Sequence, residues 1–452
     1  MHWKQTFAII LLGVITAAAQ GTSDAGRKPF KQSSTKMTHD SGKAATAASQ
    51  SKPVARPKSF DLTAMDKSVN PCEDFYEYAC GGWRKNNPIP PDQSGWGRFS
   101  ELAEYNRQIV HDILEKASAN DPKRTPILQK VGDFYATCMD EKTVNEKGAA
   151  PLKSQLDHIA AITTKDQVIE TIAYLHSLGV NALFNFGAQP DLHNASMEIA
   201  GVSQGGLGLP DRDYYLAQDP KSQEIREKYQ AHVAKMLVLL GDDQAVAQKE
   251  AQTVLGIETK LAQAAFERVK MRDPKNRDHK MTVADLSALA PNFQFQRFFV
   301  AAGAPSFTEV NVVPPDFFQQ VNSSINEVPV EDWQAYLRWH TLRTAAPNLS
   351  EPFVQENFDF TGRFLSGQKE LQARWKRCTQ ESDRLLGEAL GQPYVQQTFG
   401  ADGKQRMLRN VDALEKALAE DIQQLDWMTP ETKKQAAVKL QAITSKIGYP
   451  DK

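Results

Sequence analysis

The sequence predicts a mainly α-helical protein with a minor β element. Apolar residues recur at helical spacing over long stretches, helix start and stop residues stand at the ends of those stretches, and one short region alternates like strands. From Ile225 to Leu240 the apolar positions are Ile225, Tyr229, Val233, Met236, Leu237 and Leu240, one stripe of a helix, and Gly241 stops it. Leu408, Val411, Leu414, Leu418, Ile422 and Leu425 form a second stripe. A further helix carries its own start signal: Thr429 as N-cap, Pro430 at the first helical position and Glu431 in the first turn. It is expected to turn Ala436, Leu440 and Ile443 inward and to end at Gly448. The strand-like region is Asn181 to Phe186 and Met197 to Val202, a small hairpin around Pro190-Asp191 and Asn194.

Composition bounds the function without choosing it. The chain has 452 residues, enough for one large or two medium cores, and 53 Lys+Arg against 55 Asp+Glu leave a formal net charge of −2. That balance argues against a nucleic-acid partner and against an acidic tail. Residues 1–19 read as a signal peptide: Lys4 is the positive start, Phe7 to Ile15 the apolar stretch and Ala17-Ala18-Ala19 the cleavage site. The apolar stretch is shorter than the roughly 20 residues a membrane span needs, so no span is expected after cleavage. Residues 20–59 are rich in Ser, Thr, Ala, Lys and Pro and read as a disordered, mildly basic tether. The expectation is a secreted or periplasmic protein whose folded part covers residues 60–452.

The sequence carries none of the common short catalytic or metal-binding motifs. None of the nine histidines is followed by Glu with a second His four positions on, so the zinc-protease helix motif is absent. Cys72, Cys80, Cys138 and Cys378 form no CxxC pair. There is no GxSxG elbow, and Gly205-Gly206-Leu207-Gly208 lacks the Lys-Ser/Thr of a phosphate loop.

Longer strings say more. Asn70 to Trp83 (NPCEDFYEYACGGW) suits a short helix, with Pro71 near its start, Glu73 and Asp74 at its positive end and Gly81-Gly82 ending the turn. This string resembles the opening signature of the neprilysin and endothelin-converting-enzyme family of zinc metallopeptidases. The resemblance continues through Asp133 to Met139 (DFYATCM), Gly206 to Tyr215 (GLGLPDRDYY), Met281 to Val313 and Asp426 to Asp451 (DWMTPETKKQAAVKLQAITSKIGYPD). It covers about Asp61 to Lys452, with the motifs in the family's order.

The resemblance implies a multi-helix lobe of the neprilysin type that encloses a peptide-sized cavity, without the thermolysin-like catalytic lobe. Family members continue past the IGYPD string into an NAFY segment, an HExxH helix and an ExxxD helix, and none of these occurs here. The expectation is therefore the N-terminal two-thirds of a secreted metalloendopeptidase, inactive by itself. No catalytic residue, metal ligand or cofactor is expected in this chain, and zinc is expected with the absent domain. Peptide substrates and a separately encoded catalytic domain are the implied partners. The alternative is a non-catalytic module that binds a peptide or protein; a chain breaking off at Lys452, where relatives enter the catalytic lobe, favours the first reading.

Mammalian relatives grip a peptide's terminal carboxylate with an arginine shortly after the CGGW string. The matching position here is Gly95; the nearest arginine, Arg98, is the substrate-cavity candidate, with a surface or structural role as the alternative. Cys72 and Cys80 flank the short helix, about 12 Å apart at 1.5 Å per residue, too far for a disulfide. In the family their counterparts pair with cysteines of the absent part, so both are expected unpaired here. Cys138 and Cys378 match two cysteines that pair with each other in relatives, which implies one bridge; four reduced cysteines is the alternative.

Overall fold

The computed structural model describes residues 56–119 and 121–450, so the expected signal peptide and most of the expected tether lie outside the described residues. The N-terminal layer is α1 (Phe75–Asn86), α2 (Arg98–Ser118) and α3 (Pro126–Met139). The start of α1 differs from expectation. Asp74, not the Pro71 region, is its N-cap and accepts from Glu77 N, so Cys72 sits before the helix and Cys80 within it. Gly81 and Gly82 do not end the turn either; they lie inside the helix. The reason is packing: a Cβ on Gly82 would stand 2.5 Å from the Thr63 carbonyl of the preceding 3-10 turn. Gly132 does the same for α2 and α3, with a Cβ position 2.0 Å from the Ala117 carbonyl.

Next come α4 (Glu141–Lys147), α5 (Lys153–Ala160) and α6 (Lys165–Ser177), followed by β1 (Phe184–Pro190) and β2 (Glu198–Gln204). The expected hairpin is present, shifted a few residues toward the C-terminus, with Asp191 N donating to Met197 O across its turn. It belongs to a larger sheet than the sequence suggested. After α7 (Asp213–Leu216), α8 (Pro220–Leu240) and α9 (Gln244–Ala264), the chain adds β3 (Lys280–Thr282) and β4 (Glu309–Val313). Between these two strands lie α10 (Val283–Leu289) and α11 (Phe295–Ala301). The strand order is β1-β2-β4-β3, with β2 and β4 parallel and the other pairs antiparallel. Phe184 of β1 packs on Phe293, Phe298 and Phe318 at centroid distances of 5.3, 5.0 and 5.7 Å, tilted or edge-on as ring quadrupoles prefer.

A second core forms where α8 and α9 meet α13 (Val330–Ala345), which follows α12 (Pro315–Glu327) and precedes α14 (Glu351–Asn357) and a π-helix at Phe358–Leu365. The stripe read from Ile225 to Leu237 faces this core, and Gly241 ends α8 in the left-handed conformation. At its centre the Glu258 carboxylate is 0% exposed. It accepts from Tyr215 Oη (2.8 Å), Tyr229 Oη (2.8 Å) and His340 Nε2 (3.0 Å). Trp339 Nε1 donates to Tyr229 Oη at 2.8 Å, so every member has a partner, the condition under which a buried polar network stabilises. The Gly206–Tyr215 string folds onto this network. Tyr215 Oη accepts from Gly208 N and Leu209 N, and a Cβ on Gly208 would stand 1.8 Å from Tyr229 Oη.

The C-terminal part is α15 (Arg374–Thr398), α16 (Gly400–Gln424) and α17 (Pro430–Gln441). Thr429 caps α17 as the sequence says, but the helix stops at Gln441, seven residues before Gly448, and Ile443 is exposed. The second apolar stripe is present on α16 but not buried: Ile422 is covered, while Leu414 is 69% exposed.

Candidate functional site

Three cavities, of about 320, 300 and 320 Å³, lie against α15. The helix is fixed in place from both sides. Cys138 and Cys378 form a disulfide with Cα atoms 5.7 Å apart, tying α3 to α15. Lys376 Nζ lies 3.0 Å from Asp92 Oδ2 and 2.6 Å from Glu104 Oε1, tying α15 to α2 and to the turn before it. Trp375 packs on His111 at 4.4 Å, and Tyr135 Oη donates to Glu115 at 2.9 Å beside them. Within α15 the backbone at Leu386 leaves helical geometry, and Pro393 follows inside the same helix, so the helix bends along the cavities.

The first cavity lies between α2 and α15 and has Asn106, Arg107, Val110, Thr379, Asp383 and Tyr394 on its walls. Two of these carry polar groups that lack a partner among the described residues. The Thr379 hydroxyl is buried with no hydrogen-bond partner among the described residues. Asp383 makes no ion pair among them, and burial pushes its carboxyl above the ordinary range. A buried hydroxyl without a partner costs roughly 1–3 kcal/mol, which a bound N–H or water recovers. The second cavity runs along the π-helix to Arg377, and the third lies beside the disulfide.

The sequence candidates fall elsewhere. Arg98 opens α2 but lines none of these cavities. Its Nη1 donates to Glu101 at 2.8 Å and its Nη2 to the Lys58 carbonyl at 3.3 Å, a local role at the helix start. Cys72 is exposed, Cys80 is half-buried, and both are free thiols. Thr379 and Asp383 belong to no motif; their only sequence signal is proximity to Cys378 on one helix.

Zinc does not fit these residues. Among the described residues no group of three or more His, Cys, Asp or Glu side chains could hold a metal ion. The buried histidines are taken up by packing and carboxylates: His340 faces Glu258, and His232 faces Glu356 at 2.9 Å. Among the described residues no helix is long and apolar enough to cross a membrane.

Comparison with known proteins sets this architecture in a family. The family model described as Peptidase family M13 matches residues 71–450. Endothelin-converting enzyme 1 of Homo sapiens is 32% identical over 403 residues, covering 86% of this chain and 52% of that enzyme. The crystal structure of a Mycobacterium tuberculosis zinc metalloprotease with an inhibitor superposes with a TM-score of 0.81 at 33% identity, covering 88% of this chain and 60% of that one. The open state of that protease gives a TM-score of 0.73 at 32% identity, over 85% of this chain and 60% of its own. The chain thus spans little more than half the length of these relatives, in their helical N-terminal part. With its four-stranded sheet, its helical lobe and a family model matched over most of its length, the chain belongs to peptidase family M13.

Proposed function

We propose that this chain is the non-catalytic helical lobe of a secreted, neprilysin-like zinc endopeptidase, the part that encloses a peptide while a second lobe cuts it. The observation that carries the proposal is the likeness to the inhibitor-bound mycobacterial protease, close over 88% of this chain yet limited to 60% of that one. The zinc and its HExxH and ExxxD ligands would then come from polypeptide outside these 452 residues, and the chain alone would be inactive. The cavities along α15 are the part of the enclosure this chain would contribute, with Thr379 and Asp383 facing peptide N–H groups. The apolar face of α16 and α17 is the surface a second lobe would cover. Export through the leader at 1–19 would place the peptide substrates outside the cytoplasm.

The test begins with the DNA beyond the Lys452 codon. An HExxH reading frame is expected there, and its product, co-expressed with this chain, is expected to co-purify with it and to hydrolyse peptides in a chelator-sensitive way. Unrelated DNA at that place, together with tight peptide binding by the chain alone, would replace this reading with a stand-alone binding module.

A further inference from the structure

The cavity beside the Cys138–Cys378 bridge contains an arrangement that the peptidase reading leaves unused. Arg374 and Arg377 stand three residues apart at the start of α15, on one face of the helix, and both line this cavity of about 320 Å³. Each uses its Nε on a main-chain carbonyl: Arg374 Nε donates to Cys138 O at 2.8 Å, and Arg377 Nε to Gln372 O at 3.2 Å. The terminal Nη atoms of both guanidinium groups have no hydrogen-bond partner among the described residues, and neither arginine has a carboxylate within 4.0 Å. Cations at the positive end of a helix are unfavourable, and two of them side by side more so, unless an anion joins them.

We propose that Arg374 and Arg377 form a binding site for a small oxyanion, a carboxylate or a phosphate, in the cavity beside the Cys138–Cys378 bridge. A guanidinium presents paired N–H donors that match both oxyanions bidentately, and anchoring its Nε to a carbonyl fixes the direction in which the remaining donors point. Thr137 and Asn348 add polar groups to the wall, while Phe134 and Leu349 supply apolar surface for a short hydrocarbon tail. The volume is at the small end of ligand pockets, about 300–1,000 Å³. Burial, then the charge of Arg374, pulls the Arg377 pKa down, as expected where two cations share a site without a counter-ion.

Nearby carboxylates do not fill that role. Asp140 feels Arg374, but its side chain caps α4 by accepting from Thr143 N at 3.1 Å. Glu141 and Glu351 act on Arg377 only beyond ion-pair distance. Glu381, also on the cavity wall, is held by Arg384 at 2.6 Å.

The test is calorimetric titration of the intact, oxidised chain with inorganic phosphate and, separately, with succinate, at constant ionic strength with chloride as background. Saturable one-site binding of either anion is expected, and the better of the two identifies the ligand chemistry. The Arg374→Gln, Arg377→Gln double variant is expected to weaken binding by at least about tenfold, whereas Arg98→Gln, away from the cavity, leaves it unchanged. A second measurement needs no variant: phenylglyoxal modification of the unaltered chain, mapped by peptide mass, should be slowed by the bound anion at Arg374 and Arg377 but not at Arg98. No saturable binding of either anion would overturn the proposal, as would undiminished binding by the double variant or an absence of protection at both arginines.

Discussion

The core around Glu258 and the arm formed by α16 and α17 were equally clear as helices in the sequence, yet the structure treats them differently. In the core, the stripe on α8 meets partners from α9, α13 and the π-helix, and even the polar atoms are paired. In the arm, a comparable stripe meets almost nothing: Leu414, Leu418, Trp427, Val438 and Ile443 are all exposed, Trp427 to 70%. Periodicity reports which face a helix will bury. It does not report whether the partner that covers that face is part of the same chain.

The largest effect expected from this contrast is in the core. Trp339→Ala removes a fully buried ring and leaves Tyr229 without its donor, and should cost about 3–5 kcal/mol in denaturant unfolding. A loss below about 1 kcal/mol would show that the core is not the stable part. Cys378→Ser comes next. It opens a loop of 240 residues, for which chain entropy gives on the order of 5 kcal/mol as an upper figure and experience roughly 2–5. Peptide mapping of unreduced protein should find the Cys138–Cys378 link with Cys72 and Cys80 alkylated; a Cys72–Cys80 link would contradict the geometry of α1.

Acid sharpens the same contrast. Burial pushes the pKa values of His176, His232 and His340 down, so these rings stay neutral in the fold, whereas the unfolded chain protonates them near its ordinary value of about 6.5. As pH falls below that value the unfolded state binds more protons, so stability is full above it and is lost in acid. Glu356 adds to the trend: burial alone would push it up, but the bonds from His232 and Lys235 hold it below its usual range. Between pH 7.5 and 5.5 the loss should approach about 1 kcal/mol per histidine, read as a falling melting temperature. A flat profile over that interval would mean that the rings titrate in the fold as they do in the unfolded chain, and stability that rises in acid would mean that they are charged in the fold. The smallest effect belongs to the arm. Leu414→Glu with Leu418→Glu should change unfolding free energy by no more than about 0.5 kcal/mol, yet reduce self-association in sedimentation. A wild-type chain that stays monomeric at high concentration and binds no hydrophobic dye would argue that the exposed face is harmless.

What was legible in the sequence was local. Gly241 and Thr429 mark helix ends because their conformational and hydrogen-bonding needs are met within one turn, and the structure has both where expected. The parallel pairing of β2 with β4 was not legible, since its partners, such as Val202 and Val312, lie 110 residues apart and no turn connects them. Gly81 and Gly82 lie inside α1 rather than at its end, and spacing alone cannot distinguish a glycine that ends a helix from one that lets a neighbouring backbone approach. The cavity residues Thr379, Asp383, Arg374 and Arg377 carry no motif. Their chemistry comes from the Thr379 hydroxyl, the Asp383 carboxyl and the arginine Nη atoms having no partner among the described residues, and partners are not written in a sequence.

The measurement that bears most directly on the account is metal analysis of the purified chain combined with a peptide-cleavage assay. The described residues include no metal-holding cluster, and the family's zinc motifs do not occur in the sequence. The account predicts substoichiometric zinc after dialysis and no cleavage above buffer, with or without added zinc. One tightly held zinc per chain, with peptide hydrolysis that a chelator abolishes and zinc restores, would contradict it.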